Sequence, residues 1–198
     1  MPFRYPLARH ERRHGPQGYA HYASFRPWLR DEFSFRCVYC LYREQWGRVM
    51  RAFDIDHFIP VAIDPTKETE YDNLLYACAP CNAAKSDRRI PNPCETLLAA
   101  DVIVHDDGRI EGVTADAHRI ILVLGLNSPE TIEFRRLQID IVALASQHDP
   151  ELYRRLMQFP DDLPDLARLQ PPQGNSRPEG VDLCCFEQRA RGELPAVC

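Results

Sequence analysis

The sequence predicts a small α+β protein braced by a four-cysteine metal site, and three observations predict it. Two Cys-x-x-Cys pairs, Cys37-Val-Tyr-Cys40 and Cys78-Ala-Pro-Cys81, stand in a chain of 198 residues. Between them lies Phe53-Asp-Ile-Asp-His-Phe-Ile-Pro60, where aromatic and β-branched residues alternate with acidic ones, as in a short half-buried strand that a proline stops. Helical patterns with recognisable starts lie on either side. A chain of this length is one domain or a compact domain with appendages. A composition of 44% hydrophobic and 27% charged residues excludes a wholly disordered or fibrous chain.

Each cysteine pair can place two thiolates on one ion from a tight turn, and two pairs complete a tetrahedral zinc site with bonds of about 2.3 Å. A single pair would also suit a thioredoxin-like redox motif, but that motif wants a strand before it and a helix after it. One shared metal accounts for both pairs. Eight thiols in a chain without a secretion signal are poorly explained by disulfides. Cys94, Cys184, Cys185 and Cys198 fall in no ligand pattern and read as buried or surface thiols. The 37 residues between Cys40 and Cys78 are about twice the interval of a plain zinc ribbon, so something is inserted there.

No apolar run approaches the roughly 20 residues of a membrane span. Residues 1–15 carry Arg4, Arg9, Arg12 and Arg13 without an apolar stretch, so no secretory signal is expected and the chain reads as cytoplasmic, with no membrane partner. The net charge of −5 conceals an asymmetry: residues 1–51 hold ten Arg against Glu11, Asp31, Glu32 and Glu44, a net of +6, which leaves −11 for the remainder. A basic N-terminal quarter suits a polyanion on one face, and it suits a solvated surface equally; charge alone does not choose.

Along the chain, His10-Glu-Arg-Arg-His14-Gly15 is a polar, basic arm that either tracks phosphates or contacts nothing. A helix is expected from Pro27, a first-turn proline, with Trp28, Leu29 and Phe33 on its apolar face. Arg36, Arg43, Arg48 and Arg51 interleave with Tyr39, Tyr42 and Trp46, a pattern for backbone contact with nucleic acid or simply the core of a small module. Val61 to Glu70 reads as a loop. Tyr71 to Ala77 leads into the second cysteine pair, and Cys81 to Asp87 opens a helix. Downstream, Asp101 to His105 and Arg109 to Val113 flank Asp106-Asp107-Gly108 as a hairpin. Ala115 to Leu124 is a helix ended by Gly125. Ser128-Pro129 opens a long helix with Ile132, Leu137, Ile141 and Leu144 inward, and Asp149-Pro150 opens a short one to about Phe159. His105 and His118 are isolated and read as structural. From Pro160 the recurring prolines predict a mobile or partner-ordered tail, with Cys184-Cys185-Phe186 as its apolar knot, for docking on the body or on another chain.

Asp56-His57-Phe-Ile-Pro60, then Asn73-Leu-Leu, then Cys78-x-x-Cys81-Asn82-x-x-Lys85 resemble, in that order, the HNH nuclease family over roughly residues 35–90. The resemblance implies a ββα-metal core braced by four-cysteine zinc, in a variant that carries Asn82 where the family often has His. It also assigns Asn73 to orienting His57, and it implies DNA as substrate, double-stranded DNA first. Standalone members resembling this chain serve in restriction, antiphage defence and mobile elements, which implies a companion ATPase or sensor protein and allows a homo-oligomer.

The chemistry of the residues agrees with that family. Phosphodiester hydrolysis needs a nucleophilic water and positive charge on the developing phosphorane. His57 has a side chain of the type that titrates near neutrality, which makes it the best general base in the chain. Asp56 and the Asn82 amide carbonyl are hard oxygen ligands for Mg2+ or Mn2+, while Cys37, Cys40, Cys78 and Cys81 hold zinc. Lys85 would face the phosphate or a carboxylate, and Arg36, Arg43, Lys85 and Arg88 are the candidate nucleic-acid contacts. Asp54, two residues before Asp56, is expected to face solvent. Adjacent Asp56 and His57 point to opposite faces of a regular strand, so both reach one site only if the strand bulges or ends there.

The expected organisation is a basic arm and helix over 1–34, an HNH core over 35–92, an α+β extension of hairpin and helices over 93–159, and a Pro-rich tail over 160–198. The expected function is metal-dependent DNA cleavage; the alternative is a zinc-knuckle adaptor without catalysis.

Overall fold

The computed structural model of the protein describes residues 2–47, 53–175 and 177–197. Arg48, Arg51 and Cys198 lie outside the described residues. At the centre, β1 (Phe53–His57) pairs antiparallel with β2 (Leu74–Cys78), in a register running from Phe53 opposite Cys78 to His57 opposite Leu74. Helix α2 (Ala79–Lys85) follows β2 without a linker. It starts two residues before the Cys81 expected from sequence, because Pro80 occupies its first turn, where a missing N–H costs nothing.

All five residues of β2 are buried, so its Leu-Leu-Tyr-Ala-Cys run shows no alternation and is covered on both faces. On one side lies α1 (Arg26–Glu32), which buries Trp28 and Leu29 and leaves Phe33 half-buried at its end. The first cysteine pair docks beside β2, where the Val38 N–H donates to the Tyr76 carbonyl at 2.9 Å. Tyr42, Phe53 and Tyr76 stack in series at centroid distances of 5.8 and 4.9 Å, which seats that turn on the sheet.

After a short helix α3 (Pro93–Thr96), the hairpin β3 (Val102–Val104) and β4 (Ile110–Gly112) forms as its Asp-Asp-Gly turn predicts. Helices α4 (Ala115–Val123), α5 (Pro129–His148) and α6 (Pro150–Met157) follow, N-capped by Thr114, Ser128 and Asp149, whose side chains accept backbone N–H bonds. Gly125 takes φ +60° past the end of α4, a backbone region that suits glycine. Apolar residues of the central hairpin and of the extension form one continuous core, from Phe53 and Leu75 to Ile120 and Ile139.

Three sequence expectations need correction. The buried face of α5 is Arg135, Ile139, Val142 and Ala145, whereas Leu137, Ile141 and Leu144 face solvent. Both sets recur at helical spacing, and the neighbouring hairpin turn selects the one carrying Arg135. The basic arm is not free either: Phe3, Tyr5 and His14 are buried. Finally, the tail packs down. It carries α7 (Pro178–Asp182) and α8 (Cys185–Ala190), it buries Leu163, Leu166, Cys184 and Cys185, and the Cys185 N–H donates to Asp31 Oδ2 at 2.7 Å. Arg177 clasps the arm through the carbonyls of Arg12 and His14 at 2.6 and 3.1 Å. Gly180 lies so close to the Arg13 carbonyl that no Cβ could fit.

Candidate active site

The first cysteine pair sits in a turn closed by the Leu41 N–H on the Cys37 carbonyl (3.0 Å) and the Cys37 N–H on the Tyr42 carbonyl (2.9 Å), with Leu41 at φ +60°. Cys78 ends β2, and Cys81 lies in the first turn of α2. The four sulfurs lie within 4.8 Å of one another, and those of Cys40 and Cys78 are 3.6 Å apart. A tetrahedral ion with bonds of about 2.3 Å has sulfur–sulfur edges of about 3.8 Å. Four free thiols at this spacing therefore form a cluster compatible with structural zinc. Among the described residues it is the one grouping of three or more Cys, His, Asp or Glu side chains close enough to hold an ion.

His57 is the last residue of β1, so the strand ends where the two adjacent side chains must diverge, and no bulge is present in the ladder. Its half-buried imidazole donates from Nε2 to the Glu68 carbonyl at 3.0 Å. Because a carbonyl only accepts, that bond places a proton on Nε2, so the lone pair of the neutral ring is on Nδ1. The Tyr22 ring meets the imidazole edge-on, with centroids 4.9 Å apart.

Asp56 turns the other way, into the protein. It is 3% exposed; Oδ1 accepts from the Lys85 ammonium at 2.9 Å and Oδ2 from the Tyr39 hydroxyl at 2.5 Å. Burial raises the Asp56 pKa above its usual value, and Lys85 and Tyr39 offset only part of that effect. Lys85 is wholly buried and also donates to the His57 carbonyl at 2.6 Å. One ammonium thus ties the carboxylate to the strand end that carries His57.

Asn73 is buried and holds the long connection between the strands. Its Oδ1 accepts from the Ile59 N–H at 2.8 Å, and its Nδ2 donates to the carbonyls of Ile59 and Lys67 at 3.0 and 3.1 Å. Its own carbonyl accepts from the Phe58 N–H at 2.8 Å. The segment so held includes Glu68, the residue that fixes His57. Asn82 is half-buried on α2, one turn before Lys85. Asp54 is half-buried on β1.

The candidate nucleic-acid contacts separate by burial. Arg88 is exposed and Arg36 half-buried. Arg43 is 3% exposed, with its guanidinium over the Trp46 ring at 5.6 Å, and Lys85 is spent on Asp56. Neither presents a cation to a phosphate: Arg43 is buried against its own module, and Lys85 takes the carboxylate of its two expected partners. Sequence reasoning missed Tyr22 and Tyr39 as parts of the site. Tyr22 reaches His57 from 35 residues away with no spacing signal, and Tyr39, inside the first cysteine pair, reaches Asp56 only through the fold.

A family model described as HNH endonuclease matches residues 37–88, the span from the first cysteine through α2. No curated protein matches the chain.

Proposed function

We propose that this protein is a metal-dependent endonuclease that hydrolyses DNA phosphodiester bonds with His57 as general base, a reading supported by the match of an HNH endonuclease family model to residues 37–88. The observation that carries this reading is the held imidazole. A histidine whose Nε2–H is fixed by the Glu68 carbonyl presents Nδ1 as the proton acceptor of the neutral ring. Asn73 supports that geometry through the segment bearing Glu68. Asp56 and Asn82 are the proposed ligands of a hard divalent cation, and their oxygen donors fit Mg2+ or Mn2+. When bound, such an ion supplies positive charge to the developing phosphorane and its leaving oxygen. Both Asp56 oxygens accept hydrogen bonds, from Lys85 and from Tyr39, so Asp56 would hold such an ion in exchange for, or shared with, one of these bonds. Double-stranded DNA is the proposed substrate, and a restriction or antiphage setting with a companion ATPase or sensor protein is the proposed context.

The engagement of both Asp56 oxygens favours a second reading, a zinc-braced binding module in which Asp56 and Lys85 only stabilise the fold. Divalent dependence separates the two. In a supercoiled-plasmid assay with Mg2+, Mn2+ or EDTA, the nuclease reading expects metal-dependent nicking or linearisation by the wild type. It expects His57→Ala to lose cleavage by at least about a hundredfold, the lower range for a general base, while zinc content stays unchanged. Cleavage that survives in His57→Ala removes His57 from the mechanism, and binding without cleavage by either protein supports the module.

A further inference from the structure

Arg135, on the inner face of α5, is 1% exposed. Its guanidinium donates to the Gly108 carbonyl and, at 2.9 Å, to the Leu126 carbonyl, and it lies over the Phe3 ring at 5.9 Å. Two carbonyls and a ring fix the fork but bring no opposite charge. A buried cation without a carboxylate is costly unless another anion answers it. Among the described residues no carboxylate pairs with Arg135. Burial depresses the basicity of Arg135, and Tyr5, Cys40 and Cys81 act against that depression.

The geometry supplies the missing partner. Cys40, Cys78 and Cys81 line a cavity of about 450 Å³ together with Arg135, Phe134 and Phe3; Glu130 also lines it but makes no ion pair with Arg135 among the described residues. Phe134 in turn packs on Tyr42, beside the first cysteine pair, with centroids 5.4 Å apart. Four thiolates on one Zn2+ leave a net charge of −2, held by a centre with three buried sulfur ligands. Charges separated by a largely apolar cavity interact more strongly than they would through bulk water.

We propose that Arg135 is the counter-charge of the four-cysteine metal centre, supplied by the extension from outside the matched segment 37–88. The inference rests on the reading of the cluster as a zinc site. It gives the extension a chemical role, in which the helix that buries Arg135 helps the cysteines keep their metal. Arg135 is then a positioning and charge-compensating residue, and its effect appears in metal affinity.

The test uses the full chain with three substitutions and measures zinc stoichiometry by elemental analysis and zinc affinity by chelator competition. Arg135→Lys keeps the charge and loses the fork; Arg135→Gln keeps donors for the two carbonyls and loses the charge; Arg135→Met loses both. The expected result is one zinc per wild-type chain, affinity weakened about tenfold or more in Gln and Met, and affinity within about threefold of wild type in Lys, a range typical of groups around a metal site. Thermal unfolding at saturating zinc reports the fold separately. Wild-type affinity in Arg135→Gln, or equal losses in Lys and Gln, overturns the proposal in favour of a purely structural fork. If the Gln and Met variants do not fold, Arg135→Lys decides: retained affinity supports the counter-charge, and lost affinity overturns it. A wild-type chain that binds no zinc overturns the zinc reading itself, an outcome visible before any variant is compared.

Discussion

The ammonium of Lys85 lies between Asp56 Oδ1 and the His57 carbonyl, at 2.9 and 2.6 Å, with no exposed surface. Removing one partner of such a pair strands the other in low dielectric. Lys85→Met is therefore expected to destabilise the protein by about 3–5 kcal/mol at neutral pH. The pH dependence has a definite sign. Asp56 already has a raised pKa in the folded state, from burial first, and losing Lys85 raises it further. A group with a raised folded pKa favours folding at low pH and loses that contribution as pH rises through the folded value. The deficit of Lys85→Met against wild type should accordingly shrink as pH is lowered past the Asp56 pKa. Urea titrations of both proteins from pH 7 downward check this, and a deficit that is constant with pH would show that Asp56 is not the stranded group.

At the scale of the element, α5 carries apolar residues on two opposite faces. Ile139, Val142 and Ala145 are buried with Arg135, while Leu137 and Leu144 are 48% and 60% exposed. Their stability effects should differ as their burial does. Ile139→Ala is expected to cost about 2–5 kcal/mol, through lost transfer energy and a cavity, whereas Leu137→Ser or Leu144→Ser should change stability by no more than about 0.5 kcal/mol. Denaturant midpoints of the three variants at equal concentration distinguish the faces. The connection from β1 to β2 shows the opposite economy: one side chain, Asn73, closes it with three hydrogen bonds. The family resemblance singled out Asn73, but its partners at Ile59 and Lys67 became visible only in the fold.

Across the whole molecule, arm, α1 and tail meet at a buried ionic cluster. Glu32 accepts the backbone N–H groups of Arg13 (2.8 Å) and His14 (3.0 Å) and the Tyr71 hydroxyl (3.0 Å), and it pairs with His10 at 3.1 Å. Asp31 binds His14 at 2.9 Å and the Cys185 N–H at 2.7 Å. Burial raises the Glu32 pKa, but the bonds from His10, Arg13 and His14 outweigh it and lower the value from 4.5 to about 2. A depressed folded pKa contributes stability above the unfolded value and loses it as pH falls through the folded one. Glu32→Gln is expected to remove stability on the order of 3 kcal/mol at pH 7, the equivalent of that shift. Its difference from wild type should vanish between about pH 4.5 and pH 2. Unfolding midpoints across that range test the assignment, and a difference that persists at pH 2 would refute it.

The sequence by itself determined the four-cysteine cluster, the strand ending near His57, the loop after it and the helix at the second cysteine pair, the second hairpin, and the starts of α4, α5 and α6; the second strand of the core came only from the family resemblance. These features are local: ligand spacing, residue alternation, turn residues and caps act over a few residues and are written in adjacent letters. The tertiary structure alone decided which face of α5 turns inward, that Lys85 and Arg43 are buried rather than presented to a phosphate, that Tyr22 stands against His57, and that arm and tail clasp the body. Each of those outcomes depends on partners far apart in the chain. Burial in the tail rests on Asp31 and on the arm's carbonyls, and the inward face of α5 on the carbonyls of Gly108 and Leu126. A single element's pattern gives the period of its apolar residues, but only the packed neighbours choose between two faces of the same period.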